Sequence, residues 1–318
     1  MPQQRENPFI YTDSNKRYYT YAYYLKRTYG EKCAKIPLDI GCTCPNIDGR
    51  CGRGGCIYCS VRGSGDFAAA GGGVTAQIAA ARAALTEKWK TAKIIPYFQA
   101  HSNTYGDVQT LAAAYREALC AEGVCGMHIA TRADCLSPEI LRVLCDLAEK
   151  TVLTVELGLQ TACDETAARI GRGHTFADFV SGYTALRRAS DRIRVGVHLI
   201  NGLPGETPEM MIESARAVAA LAPDLVKIHE LYVLRGTRLA ALYLAGDYRP
   251  MDEDAFIAVT AEQLAHLPPQ TVIGRLTGDG DARDLLAPYH KKGKIALLNG
   301  IDRRLVDADL WQGKFYRP

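Results

Sequence analysis

From Lys35 onward, short apolar runs alternate with longer stretches whose apolar positions recur at helical spacing. The runs Lys35–Cys42, Lys93–Gln99, Met127–Thr131, Thr151–Gly158, Arg194–Ile200 and Leu225–Leu231 are rich in Ile, Val and Leu. Runs of that length and composition read as strands buried on both faces. Val74–Trp89, Val108–Ala121, Pro138–Ala148, Thr175–Ala189 and Pro208–Ala220 read as helices, the last opened by a Thr207 cap with proline in the first turn. Strands alternating with helices predict a parallel sheet with right-handed crossovers. Six such units make an α/β fold of the (β/α)6 type, a partial TIM-like barrel of about three quarters of the eight-fold form. Residues 35–244 carry this rhythm, residues 1–34 precede it, and 245–318 depart from it as an expected C-terminal α+β extension.

Composition adds little to that picture. Hydrophobic residues at 47% and charged residues at 23% are ordinary for a globular chain. No apolar run approaches bilayer length, and the polar start Met1–Asn7 lacks the apolar core of a secretion signal. A reducing cytoplasmic location is expected, and there eleven cysteines are not a disulfide framework. The net charge of +3 is small, but it gathers at the ends. Residues 1–60 hold nine Lys/Arg against five Asp/Glu, and residues 283–318 hold eight against four. Two local features stand out. Segment 11–29 mixes seven tyrosines with four cations, which suits either base stacking or a packed helix with wet hydroxyls. Segment 63–73 is glycine- and alanine-rich and reads as a flap.

The candidate chemistry begins at the cysteines. Cys44, Cys56 and Cys59 are spaced C-x11-C-x2-C, with four glycines between the first two. Three thiolates can hold three irons of a [4Fe–4S] cluster and leave the fourth open to a ligand. Glycines let backbone pass close to the inorganic core. Zinc takes four ligands, and Cys42, Cys51 or a histidine could supply a fourth, so the count leaves zinc open. The cysteine loop follows the first strand, and polar groups follow the others: Gln99 to Tyr105, Arg132 with Asp134, Gln160, and Asn201 to Glu206. In parallel α/β folds such loops meet at the C-terminal mouth.

The chain resembles radical SAM enzymes, and within them the bacterial branch related to the catalytic subunit of elongator. The match is carried by Thr43-Cys44-Pro45-Asn46 with Gly54 to Cys59, Tyr97-Phe98-Gln99-Ala100, Glu156 to Thr161, Arg172-Gly173-His174, His198 to Glu206, Leu231 to Thr237 and Arg275 to Asp279. The long cysteine spacing departs from the C-x3-C-x2-C of most of the superfamily and suits this branch. No stretch resembles the acetyltransferase domain of elongator, so no acetyl-CoA chemistry is expected.

The resemblance implies a [4Fe–4S] cluster on Cys44, Cys56 and Cys59, and S-adenosylmethionine on the open iron. Reductive cleavage would give a 5′-deoxyadenosyl radical that abstracts hydrogen from substrate. It implies that Gln99 and Ser102 hold the methionine amino group, and that Glu156 and Gln160 face the ribose or methionine. Arg172 would pair with the methionine carboxylate and Asn201 would reach the ribose. Ile200, Leu203 and Leu231 would line the adenine. The implied substrate is tRNA, at the C5 side chain of a wobble uridine, with a reductant such as flavodoxin or ferredoxin as partner. The basic, tyrosine-rich N-terminus and Lys291, Lys292, Lys294, Arg303 and Arg304 would suit that substrate. Two alternatives stand beside it: a radical SAM enzyme acting on a small metabolite or peptide, and a non-catalytic iron–sulfur or zinc RNA-binding protein.

Overall fold

The computed structural model describes residues 9, 11–63, 71–85, 93–278, 280, 282–290 and 293–318. Most of the expected flap, and Lys291 and Lys292, lie outside these residues.

The strands are β1 (Ala34–Leu38), β2 (Ile94–Phe98), β3 (Met127–Thr131), β4 (Leu153–Gln160), β5 (Arg194–Asn201), β6 (Leu225–Glu230), β7 (Val233–Leu234), β8 (Val272–Arg275) and β9 (Leu285–Ala287). The helices are α1 (Tyr21–Tyr29), α2 (Val74–Ala83), α3 (Val108–Leu119), α4 (Pro138–Ala148), α5 (Asp164–Arg169), α6 (Phe176–Ala189), α7 (Pro208–Ala220), α8 (Arg238–Ala245), α9 (Glu253–His266) and α10 (Gly293–Asp307). Seven strands pair in parallel in the order β1-β2-β3-β4-β5-β6-β8 and form a curled half-barrel. Sequence predicts six. The seventh, β8, comes from the expected extension and pairs with β6. It is four residues long and follows Pro268-Pro269, too short to show as an alternating run. β7 and β9 make a separate antiparallel pair.

The helices start where their caps dictate. Asp107, Ser137, Thr175, Thr207, Thr237 and Asp252 each accept a backbone N–H with their side chain, which satisfies a donor the helix cannot. The helices cover the convex face of the sheet, where Phe98, Ile129, Leu157, Val197 and Ile228 share one apolar cluster with Leu144, Phe179, Val218 and Leu264. Burying each such side chain contributes about 1.5–3 kcal/mol. Among the described residues no helix is long and apolar enough to cross a membrane.

The tyrosine-rich segment is a floor. Tyr24 and Leu25 of α1 pack with Cys33, Ile95, Leu225 and Val272, residues at or near the starts of strands. Thr20 bridges to Ile273 in parallel, so the segment also extends the sheet beside β8. Of the two readings of these tyrosines, the packed helix holds for Tyr18 and Tyr24, while the other five are half-buried. Tyr18 and Tyr24 are less than 10% exposed and cannot stack bases where they lie.

Candidate functional site

The cysteine loop leaves the C-terminal end of β1. Gly54 and Gly55 have φ of +77° and +74°, a left-handed pair that turns the chain into Cys56 and favours residues without a side chain. The loop is pinned on both flanks. Ile57 donates its N–H to Ile170 O at 3.0 Å, beyond α5, and Leu239 at the start of α8 donates to Ile57 O at 2.8 Å. Asn46 is its internal brace: Nδ2 donates to Gly171 O at 2.5 Å and lies 3.6 Å from Cys56 Sγ. A Cβ on Gly52 would sit 2.2 Å from the Asn46 side-chain oxygen, so Gly52 makes room for that brace.

Cys56 is buried, and Cys44 and Cys59 are half-buried. The Cys59 thiol donates to Cys56 and holds it well below the ordinary thiol range, with burial opposing and Arg172 assisting. Cys59, which keeps the proton, is pushed up by that bond, by burial and by the Cys56 charge. Two thiols sharing a proton beside a guanidinium are poised to lose both to a metal, since thiolate is the ligand form. Among the described residues, no three His, Cys, Asp or Glu side chains converge as a shell for one ion. A cluster does not require convergence, because each thiolate meets a different iron. Cys42 packs against the main core instead, and exposed Cys51 turns to Asp134, with Sγ 3.7 Å from Oδ2.

The loops after β2, β3 and β4 close around the cysteines. Ser102, 1% exposed, donates its N–H to Thr43 O at 3.2 Å, and Gln99 donates to Leu38 O at the same distance. Arg132 grips Asp134 through Nε and Nη2 at 2.8 and 2.7 Å, and its Nη1 donates to Arg172 O at 2.8 Å. Arg172 is 5% exposed and donates Nη2 to Gly158 O, while its Nε has no hydrogen-bond partner. A buried guanidinium N–H left over beside the thiols fits an anionic group that completes the site. Gln160 sits at the β4–β5 register shift with φ of +77°, strained backbone of the kind found where a side chain must be aimed. Ile200, Leu203 and Leu231 join Ile57, Ile170 and Tyr248 in one apolar cluster at the mouth, with Tyr58 against it.

Two expected cofactor contacts are spent elsewhere. Glu156 is fully buried in the concave interior. Its Oε1 takes His128 Nδ1 at 2.5 Å and Lys35 Nζ at 3.4 Å. Its Oε2 takes His198 Nε2 at 2.7 Å, Tyr97 OH at 2.8 Å and Lys227 Nζ. A carboxylate inside an apolar strand needs such partners, and these five donors leave no place for a ribose. Asn201 is buried against α9, donating to Gln263 Oε1 at 2.8 Å and accepting from Gln263 Nε2 at 2.9 Å. Reading the sequence strand by strand missed the interior group. Its signal is a polar or titratable residue placed inside each apolar run, at Lys35, Tyr97, His128, Glu156, His198 and Lys227.

Two family descriptions match the chain. "Radical SAM superfamily" covers residues 46–218 and "Radical_SAM C-terminal domain" covers residues 223–307. The uncharacterized protein YtqA of Bacillus subtilis is 40% identical over 98% of this chain and 97% of its own length. A tRNA uridine(34) acetyltransferase of Methanocaldococcus jannaschii is 30% identical over 54% of this chain, a stretch spanning 32% of that protein. Among solved structures, Methanocaldococcus infernus Elp3 with an N-terminal deletion superposes with a TM-score of 0.65 at 20% identity, covering 88% of this chain and 64% of its own.

Proposed function

The chain belongs to the radical SAM superfamily, and from that premise we propose that it cleaves S-adenosylmethionine reductively and uses the radical to modify the C5 side chain of a wobble uridine in tRNA. The observation that carries the first half is the trio Cys44, Cys56 and Cys59 at the mouth of a half-barrel, with the spare Nε of Arg172 beside them. When bound, a reduced [4Fe–4S] cluster with S-adenosylmethionine supplies an electron to the sulfonium and a 5′-deoxyadenosyl radical to the substrate.

The chain's own residues bind, orient and exclude water. The three thiolates hold the cluster, and the Asn46 amide donates to the Cys56 sulfur, one of the levers on cluster potential. Arg172 takes the methionine carboxylate, the loop at Gln99 and Ser102 takes the amino group, and Gln160 faces the ribose. Ile200, Leu203 and Leu231 seal the adenine away from water.

The tRNA half rests on the relatives whose names carry uridine 34 chemistry and on the exposed Arg303 and Arg304 of α10. The buried Tyr18 and Tyr24 do not contribute to it. The candidate reaction is conversion of a carboxymethylaminomethyl group towards aminomethyl.

Two measurements test the two halves. Anaerobically reconstituted, reduced protein should release 5′-deoxyadenosine from S-adenosylmethionine, and its absence ends the enzymatic reading. Modified nucleosides in tRNA from cells with and without this protein should differ at a C5-substituted uridine. Identical profiles, with no salt-sensitive tRNA binding on filters, would remove the tRNA half.

A further inference from the structure

The interior group beneath the mouth has too few anions for its cations. Lys35 and Lys227 both point at Glu156, and among these groups it is the one carboxylate. His128 and His198 add no charge at neutral pH, because burial pushes them down to about 3 and about 4. Two lysine side chains therefore face one carboxylate. Arg275, level with Lys227 in the β6–β8 register, adds its field to both lysines. Burying an unbalanced charge is costly, and the cost appears as lysines held below their usual range, Lys227 at about 7.

A second observation points the same way. His229 is two residues beyond Lys227 on the same face of β6, with its ring 5.3 Å from that of His198. Its Nε2 is buried and has no hydrogen-bond partner. In the β5–β6 register His229 pairs with Ile200, while Lys227 pairs with His198 one pleat deeper. The unpartnered nitrogen therefore lies between the mouth and the lysines. The layer is not sealed, since the side chains of Lys35 and His198 are 23% and 16% exposed.

We propose that this layer is a carboxylate-binding site, in which Lys35, Lys227 and His229 receive a carboxylate carried on the substrate into the half-barrel. One further carboxylate holds both lysines in the ammonium form, and its second oxygen meets the spare imidazole nitrogen. A carboxylate on a slender arm suits so enclosed a layer better than a polynucleotide phosphate, which carries a sugar on either side. The identity of the substrate rests on the tRNA reading above; the ligand class rests on the interior alone.

The test uses reconstituted protein saturated with S-adenosylmethionine, so that the cofactor's own carboxylate is accounted for. Sodium acetate should raise the thermal midpoint where acetamide with matching sodium chloride does not, and the shift should vanish in Lys35→Gln and in His229→Asn. Both variants leave the Lys227–Glu156 pair in place, so folding is retained where Lys227→Met would strand a buried carboxylate. Equal shifts with acetate and acetamide, or an undiminished shift in both variants, would overturn the site. In a second arm, 5-carboxymethylaminomethyluridine should bind about tenfold tighter than 5-aminomethyluridine, as expected for a charge-assisted contact. Equal affinities would overturn the substrate carboxylate while sparing the uridine. An acetate shift that depends on Lys35, with neither nucleoside bound, would support the anion site and remove tRNA.

Discussion

Asn201 and Gln263 exchange both amide hydrogen bonds, at 2.8 and 2.9 Å, and so clasp the end of β5 to the last turn of α9. Gln263 also donates to Met211 O at 2.9 Å. Removing one partner leaves a buried amide unsatisfied, which costs about 1–3 kcal/mol on top of lost packing. Gln263→Ala is therefore expected to lower the urea midpoint by that order. Asn201→Ala should do the same while leaving the affinity for S-adenosylmethionine within about twofold. A large loss of affinity with unchanged stability would restore Asn201 to the cofactor.

Cys44→Ala, Cys56→Ala and Cys59→Ala should each lower 5′-deoxyadenosine formation by more than about a hundredfold, with loss of iron and sulfide, because a thiolate is the ligand at each corner. Cys42→Ala and Cys51→Ala should retain most of it. Loss of the cluster from the Cys51 variant would show that the ligand set is wrongly assigned.

Arg172→Lys replaces a planar fork by a point charge. Lysine could keep the bond to Gly158 O but not offer a second donor in the same plane. Affinity for S-adenosylmethionine, read by equilibrium dialysis, should fall by about tenfold. Unchanged affinity would leave Arg172 a purely structural brace for β4.

Acid should loosen the fold before ordinary carboxylates titrate. His128 and His198 are held at about 3 and about 4, mainly by burial, so the unfolded chain takes up their protons first as pH falls below about 6.5. The share of stability set by these histidines is complete above that value and declines from about 6.5 towards 4. The slope approaches about 1.4 kcal/mol per pH unit for each histidine. Glu156, held low by the two lysines against its burial, adds its loss below its ordinary value of 4.5. Denaturant midpoints between pH 7.5 and 5 check this, and His198→Gln should remove one proton's share of the slope. A flat profile in the wild type would contradict it.

The strand–helix order was legible because each apolar run is long enough to fix its own type. Pro138–Ala148 and Pro208–Ala220 begin and end where their caps and prolines place them. β8 was not legible, because four residues take their strand identity from β6 rather than from their own pattern. The spacing of Cys44, Cys56 and Cys59 marked them as candidate ligands, while the ligand count left zinc open. The destinations of Glu156 and Asn201 were not legible, since their partners lie on other elements, 28 to 121 residues away for Glu156 and 59 to 62 for Asn201. Tyr24 could not declare a floor until the starts of β2, β6 and β8 were brought beneath it.

The sheet's open edge has a consequence for biosynthesis. Ile273 donates its N–H to Tyr19 O at 2.8 Å, and Gln312 donates to Arg17 O at 2.9 Å. Arg17 and Tyr19 thus wait for partners made 295 and 254 positions later. Such distant closure slows folding. Until translation has passed Gln312, the nascent chain cannot close its base, so a chain halted short of that residue is expected to fold incompletely.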